Sequence, residues 1–159
     1  RKLSILAGPT ATAREHTMSG HCIIGEADSF ICMLLTRFAR EAGLQPMQAQ
    51  VGEDVCPLVH RTHPSVILMD PELPGSLRGW EAARELRADA ELRRVPIVSC
   101  SWLNEYDARA LIADAIAYLQ KPELHYEDFL AALRLAVVAG GGVRTNSASK
   151  PSEGGESRP

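Results

Sequence analysis

One alternation runs through the chain five times. A short apolar run is followed by a stretch of helical periodicity, and the pair then recurs. The apolar runs are HCIIGE (21–26), PMQAQV (46–51), SVILMD (65–70), VPIVSCS (95–101) and IAYLQ (116–120). The helical stretches are DSFICMLLTRFAREAG (28–43), EDVCPLVHRTH (53–63), GWEAARELRAD (79–89), NEYDARALIADA (104–115) and YEDFLAALRLAVVA (126–139). Strands separated by a helix cannot pair as hairpins, so the pattern requires a parallel sheet with helices on both faces. A doubly wound sheet of this kind places its functional crevice beyond the carboxyl ends of the strands. Asp28 or Ser29 is suited to cap the first helix, and Gly43 to end it.

The 159 residues fit one domain, and a hydrophobic content of 45% suffices for a sizeable core. We expect a flexible N-terminal extension over 1–20, one folded unit over 21–139 and a disordered Gly/Ser/Pro-rich tail over 140–159. The net charge of -3 and the lack of a basic stripe argue against direct nucleic-acid binding. No apolar run is long enough to span a bilayer, and the short Leu3–Ala7 patch is poor as a signal core, so a cytoplasmic location is expected. Cys22, Cys32, Cys56 and Cys100 form no CxxC pair and read as small hydrophobes. Cys56, His60 and His63 make a C-x3-H-x2-H spacing, which is more simply a solvated helix face than a zinc site.

The strand ends carry the chemistry. Glu26, Ala27 and Asp28 follow the first strand, Asp70 the third, Ser101 the fourth and Lys121 the fifth. Clustered carboxylates need a cation, and a hard ion such as Mg2+ suits oxygen donors. A lysine ammonium supplies a compact charge, and a carboxylate so held is a candidate nucleophile toward phosphorus.

With IIGEAD, VILMDPELPG, GWEAARELR, VPIVSCSW and AIAYLQKP in place, residues 21–139 resemble the receiver domain of two-component response regulators. The resemblance implies the CheY-like, flavodoxin-like fold with strand order 2-1-3-4-5. It implies Asp70 as phosphoacceptor, Ser101 as the hydroxyl, Lys121 as the site lysine and Tyr118 as an aromatic switch. It further implies Mg2+ held by Glu26, Asp70 and the Glu72 backbone carbonyl, with Asp28 as a further candidate. The implied partners are a sensor histidine kinase or a histidine phosphotransfer protein, and a downstream protein at the face of the fourth helix, fifth strand and fifth helix. The domain is then a phosphoacceptor rather than a conventional enzyme, with self-catalysed phosphotransfer and dephosphorylation.

Four features depart from the family pattern. Ala27 stands where a direct metal ligand is usual, Pro71 follows the acceptor, Gly79 comes one residue late, and Trp102 follows Ser101 where a small residue is common. They motivate an alternative, a phosphorylation-independent interaction module of the same fold. A flavodoxin-like enzyme or nucleotide-binding domain finds no support, because neither GxGxxG nor a P-loop is present.

Overall fold

A computed structural model describes residues 18–139 and 144–145. The elements alternate as the sequence predicts: β1 (His21–Gly25), α1 (Ser29–Glu41), β2 (Gln45–Ala49), α2 (Val55–Thr62), β3 (Val66–Met69), α3 (Gly79–Ala88), β4 (Ile97–Ser101), α4 (Glu105–Leu111), β5 (Ala117–Gln120) and α5 (Tyr126–Val138). The sheet is parallel throughout, in the order 2-1-3-4-5.

Strand periodicity sorts the core into two layers, because successive side chains point to opposite faces. Cys22, Ile24, Val66, Leu68, Val98 and Cys100 pack with Leu35 and Phe38 of α1 and with Phe129 and Leu133 of α5. Ile23, Ile67, Met69 and Ile97 pack on the other side with Val55 and Val59 of α2 and Leu86 of α3. Each large side chain so buried contributes about 1.5–3 kcal/mol of transfer free energy. On the first face Phe38, Tyr126 and Phe129 meet as an aromatic cluster, with centroids 5.4 to 6.4 Å apart.

Three boundaries differ from the sequence reading. Met18, placed by sequence in the extension, is buried in the α1/α5 layer, and Met18–Ser19 pairs antiparallel with Arg144–Thr145. The rest of both extensions lies outside the described residues. Helix α2 begins with a 3-10 turn at Gly52–Asp54 and ends at His63, in the left-handed region at φ 47°. Helix α4 ends four residues earlier than its periodicity suggests. Ile112 leaves at φ -129°, ψ 86°, and its carbonyl accepts the Tyr118 hydroxyl at 2.6 Å. The chain has to turn there, since the Ile116 amide already joins Ile97 at the sheet edge. Among the described residues no helix is long and apolar enough to cross a membrane.

Candidate functional site

Three ionisable side chains meet at the carboxyl end of the sheet. Glu26 follows β1, Asp70 follows β3 and Lys121 follows β5, and all three are buried, with relative exposures of 2%, 9% and 2%. The sheet itself fixes their backbones. The Asp70 amide donates to the Gly25 carbonyl at 2.9 Å, and the Lys121 amide to the Ser101 carbonyl at 2.8 Å. Lys121 Nζ donates to Asp70 Oδ2 at 2.8 Å and also contacts Glu26 Oε2. Glu26 Oε2 lacks a partner in hydrogen-bond geometry, so the ammonium meets it as a counter-charge.

The remaining carboxylate oxygens are taken by backbone. Asp70 Oδ1 accepts the Glu72 amide at 2.8 Å, and Glu26 Oε1 accepts the Asp28 amide at 2.9 Å. Burial pulls the Lys121 pKa down, but its hydrogen bond to Asp70, its close contact with Glu26 and the charges of both carboxylates outweigh it and raise the value above that of a free lysine. The lysine is therefore charged at neutral pH. One ammonium between two carboxylates leaves the pocket with a single net negative charge.

Ser101 is fully buried at the end of β4, and its Oγ accepts the Leu103 amide at 3.0 Å. Its hydroxyl proton remains available to donate. Trp102 is half exposed, with the Lys121 ammonium 5.8 Å from its ring centroid, so the indole forms part of the rim. Tyr118 is turned toward α4: its hydroxyl bonds Ile112, and the Arg109 guanidinium lies 4.4 Å from its ring centroid. Arg109 is in turn paired with Glu105 at 2.6 Å.

The loop after Asp70 is anchored at both ends. The Leu73 amide donates to the Asp70 carbonyl at 3.0 Å, and the Trp80 amide to Pro71 at 3.0 Å. Gly79 lies so close to the Asp70 carbonyl that any Cβ would collide with it. Gly52 passes against the Leu77 carbonyl of this loop with no room for a side chain. Glu53 Oε2 accepts the Leu77 amide at 3.4 Å, and the Gly52 amide donates to Pro74 at 2.9 Å. Sequence reasoning missed Gly52 and Glu53 as supports of this loop. The only available signal was a glycine–acid pair at the carboxyl end of β2, beside the crevice.

The family profile described as the response regulator receiver domain matches residues 22–134. The chain belongs to that family. This receiver is 38% identical over 64 residues to protein PilH of Pseudomonas aeruginosa, a match covering 40% of the chain and 52% of PilH. It therefore spans about half the length of that relative. It is 31% identical over 98 residues to the polar-differentiation response regulator DivK of Brucella abortus, covering 60% of the chain and 79% of DivK. Among solved structures it resembles the receiver domain of the sensor histidine kinase PA1611 from Pseudomonas aeruginosa. That likeness has a TM-score of 0.65 and 26% identity, and covers 75% of this chain and 98% of that one. The PA1611 structure has a magnesium ion coordinated in its active-site cleft.

The side-chain donors implied for Mg2+ in this receiver already have partners within the protein. Asp28 Oδ1 accepts the Ile31 amide at 2.9 Å as the cap of α1, and Ala27 offers only a methyl group. Glu26 and Asp70 share Lys121. Among the described residues no three His, Cys, Asp or Glu side chains are grouped to hold a metal. The Cys56–His60–His63 spacing does not converge either. His60 Nε2 pairs with Asp89 at 3.0 Å, Cys56 Sγ lies 3.8 Å from Glu85, and His63 ends the helix.

Proposed function

We propose that this receiver accepts a phosphoryl group on Asp70 from a phosphohistidine of a sensor histidine kinase or a histidine phosphotransfer protein. The observation that carries the reading is the buried Glu26–Lys121–Asp70 cluster, with the Ser101 hydroxyl at the end of the adjoining strand. A buried ion cluster is a poor device for stability alone, because desolvation cancels much of its attraction. A poised carboxylate nucleophile gives it a purpose.

In the reaction an Asp70 carboxylate oxygen attacks phosphorus. The P–N bond to the donor imidazole breaks, its electron pair returns to nitrogen, and an acyl phosphate forms on Asp70. Lys121 is within reach of the new phosphoryl oxygens and Ser101 has a proton to donate, so the two stabilise charge that develops in transfer. The acyl phosphate brings added charge and acceptor oxygens into a pocket already net negative. The ion cluster must rearrange, and Lys121 and Ser101 are the groups that respond.

Tyr118 is the proposed relay to the surface. It now anchors the carboxyl end of α4 through Ile112, so a change in its rotamer alters that end of the helix. Beside it lies a groove of about 450 Å3 lined by Tyr118, Gln120, Pro122, Asp128, Ala131 and Leu135. With exposed Leu135 and Val138, this α4–β5–α5 face is the proposed docking surface for a downstream protein.

The test is incubation with a small acyl phosphate donor, followed by intact mass measurement. The expected result is a gain of one phosphoryl group, lost in Asp70→Asn. A chain that stays unmodified with every donor, while still engaging its partner, belongs instead to the interaction-module reading.

A further inference from the structure

The pocket already contains a cation. Lys121 lies wholly inside the domain, its side chain without exposed surface, between the two carboxylates. Every carboxylate oxygen of Glu26 and Asp70 faces either a backbone amide or this ammonium. The other acid after β1, Asp28, caps α1 through Oδ1. Position 27 lies between Glu26 and Asp28, is exposed, and carries no donor atom.

These facts decide between two ways of neutralising the site. A divalent cation binds hard oxygen donors in near-octahedral geometry and gives up water reluctantly. Here it meets two carboxylates whose charge is half cancelled. A metal drawn to the same oxygens competes with the ammonium, and among the described residues the lysine has no other carboxylate to pair with. Its remaining neighbour at the rim is the Trp102 ring at 5.8 Å. A second, independent carboxylate at position 27 would change the balance, since the metal could then be held without dislodging Lys121.

We propose that Lys121 is the resident cation of this receiver's acceptor pocket, and that the pocket is indifferent to Mg2+ because position 27 supplies no ligand. The proposal rests on the reading of Asp70 as acceptor only in naming the pocket. The ion chemistry itself is measured without phosphoryl transfer.

The experiment is urea unfolding of the full chain, with and without Mg2+ at matched ionic strength. A ligand of the folded state shifts the unfolding equilibrium constant by the factor 1 + [L]/Kd. The native chain is therefore expected to shift less than about twofold at about 10 mM Mg2+. Ala27→Asp is expected to shift more than about tenfold under the same conditions. Circular dichroism of the variant without metal confirms that it is folded. A saturating shift of about tenfold in the native chain overturns the proposal. So does a folded Ala27→Asp variant that ignores Mg2+, because position 27 is then not the missing ligand.

Intact mass after donor treatment, in chelator and in Mg2+, keeps the two readings apart. A phosphoryl adduct that forms equally in both supports the inference. An adduct that requires Mg2+ overturns the inference and supports the acceptor reading. Failure in both conditions removes the acceptor reading, and the unfolding titration still decides the ion question.

Discussion

Replacing Lys121 with methionine leaves Glu26 and Asp70 side by side with no cation between them. The two carboxylates are 2% and 9% exposed, so water replaces little of what is lost. The Lys121–Asp70 bond of 2.8 Å corresponds to about 6 kcal/mol of attraction at an effective dielectric of about 20. Desolvation of the ammonium offsets part of this, so the expected net loss is the ~3–5 kcal/mol typical of a buried pair broken on one side. Urea unfolding followed by circular dichroism at neutral pH reads it as a fall in midpoint of about 2 M, with unchanged slope. The pH dependence gives a second signature. The folded lysine pKa is raised, so its contribution is fully present below about 10.4 and is lost as pH rises through the higher folded value. The native chain should therefore show an alkaline limb that Lys121→Met lacks. Adding Asp70→Asn to Lys121→Met removes one of the crowded charges and should recover part of the loss, a non-additive result. A loss below about 1 kcal/mol, or strict additivity in the double variant, refutes the claim that the cluster is electrically coupled.

Gly79→Ala drives a methyl into the Asp70 carbonyl, and should cost about 1–3 kcal/mol in the same unfolding assay while slowing modification of Asp70. Ser99 is buried in β4 with an Oγ that has no hydrogen-bond partner among the described residues, so Ser99→Ala should be neutral or stabilising by about 1 kcal/mol. The Glu53 carboxyl is held below its usual value of 4.5 by its own backbone amide, against some desolvation, and by Leu77 and Ser76. A depressed carboxylate stabilises above its unfolded pKa and loses that contribution as pH falls through the folded value, so Glu53→Gln should flatten the acid limb of a stability–pH profile.

The fold was legible because two periods alternate cleanly. Val66 to Met69 is apolar at every position, as a strand covered on both faces must be, while the stripe of Ile31, Leu35 and Phe38 returns every three or four residues. The positions of Glu26, Asp70, Ser101 and Lys121 followed from strand ends alone, since a parallel sheet collects them at one edge. Their states did not follow. Which partner Asp28 meets depends on side-chain rotation, and its Oδ1 accepts the Ile31 amide. Ile112 to Ala115 continue the helical pattern of α4 in the sequence, but the chain turns there because the Ile116 amide joins Ile97 at the sheet edge, 19 residues away. Glu53 was invisible for a similar reason. Its partner at Leu77 is 24 residues away, and no local spacing announces the contact.

The central claim is that Asp70 takes the phosphoryl group. Its most direct test is reductive trapping of the donor-treated chain with borohydride, which converts an aspartyl phosphate to homoserine, followed by peptide sequencing. Homoserine is expected at position 70 and at no other aspartate. Homoserine at Asp28, or none anywhere under conditions that label a known receiver, contradicts it.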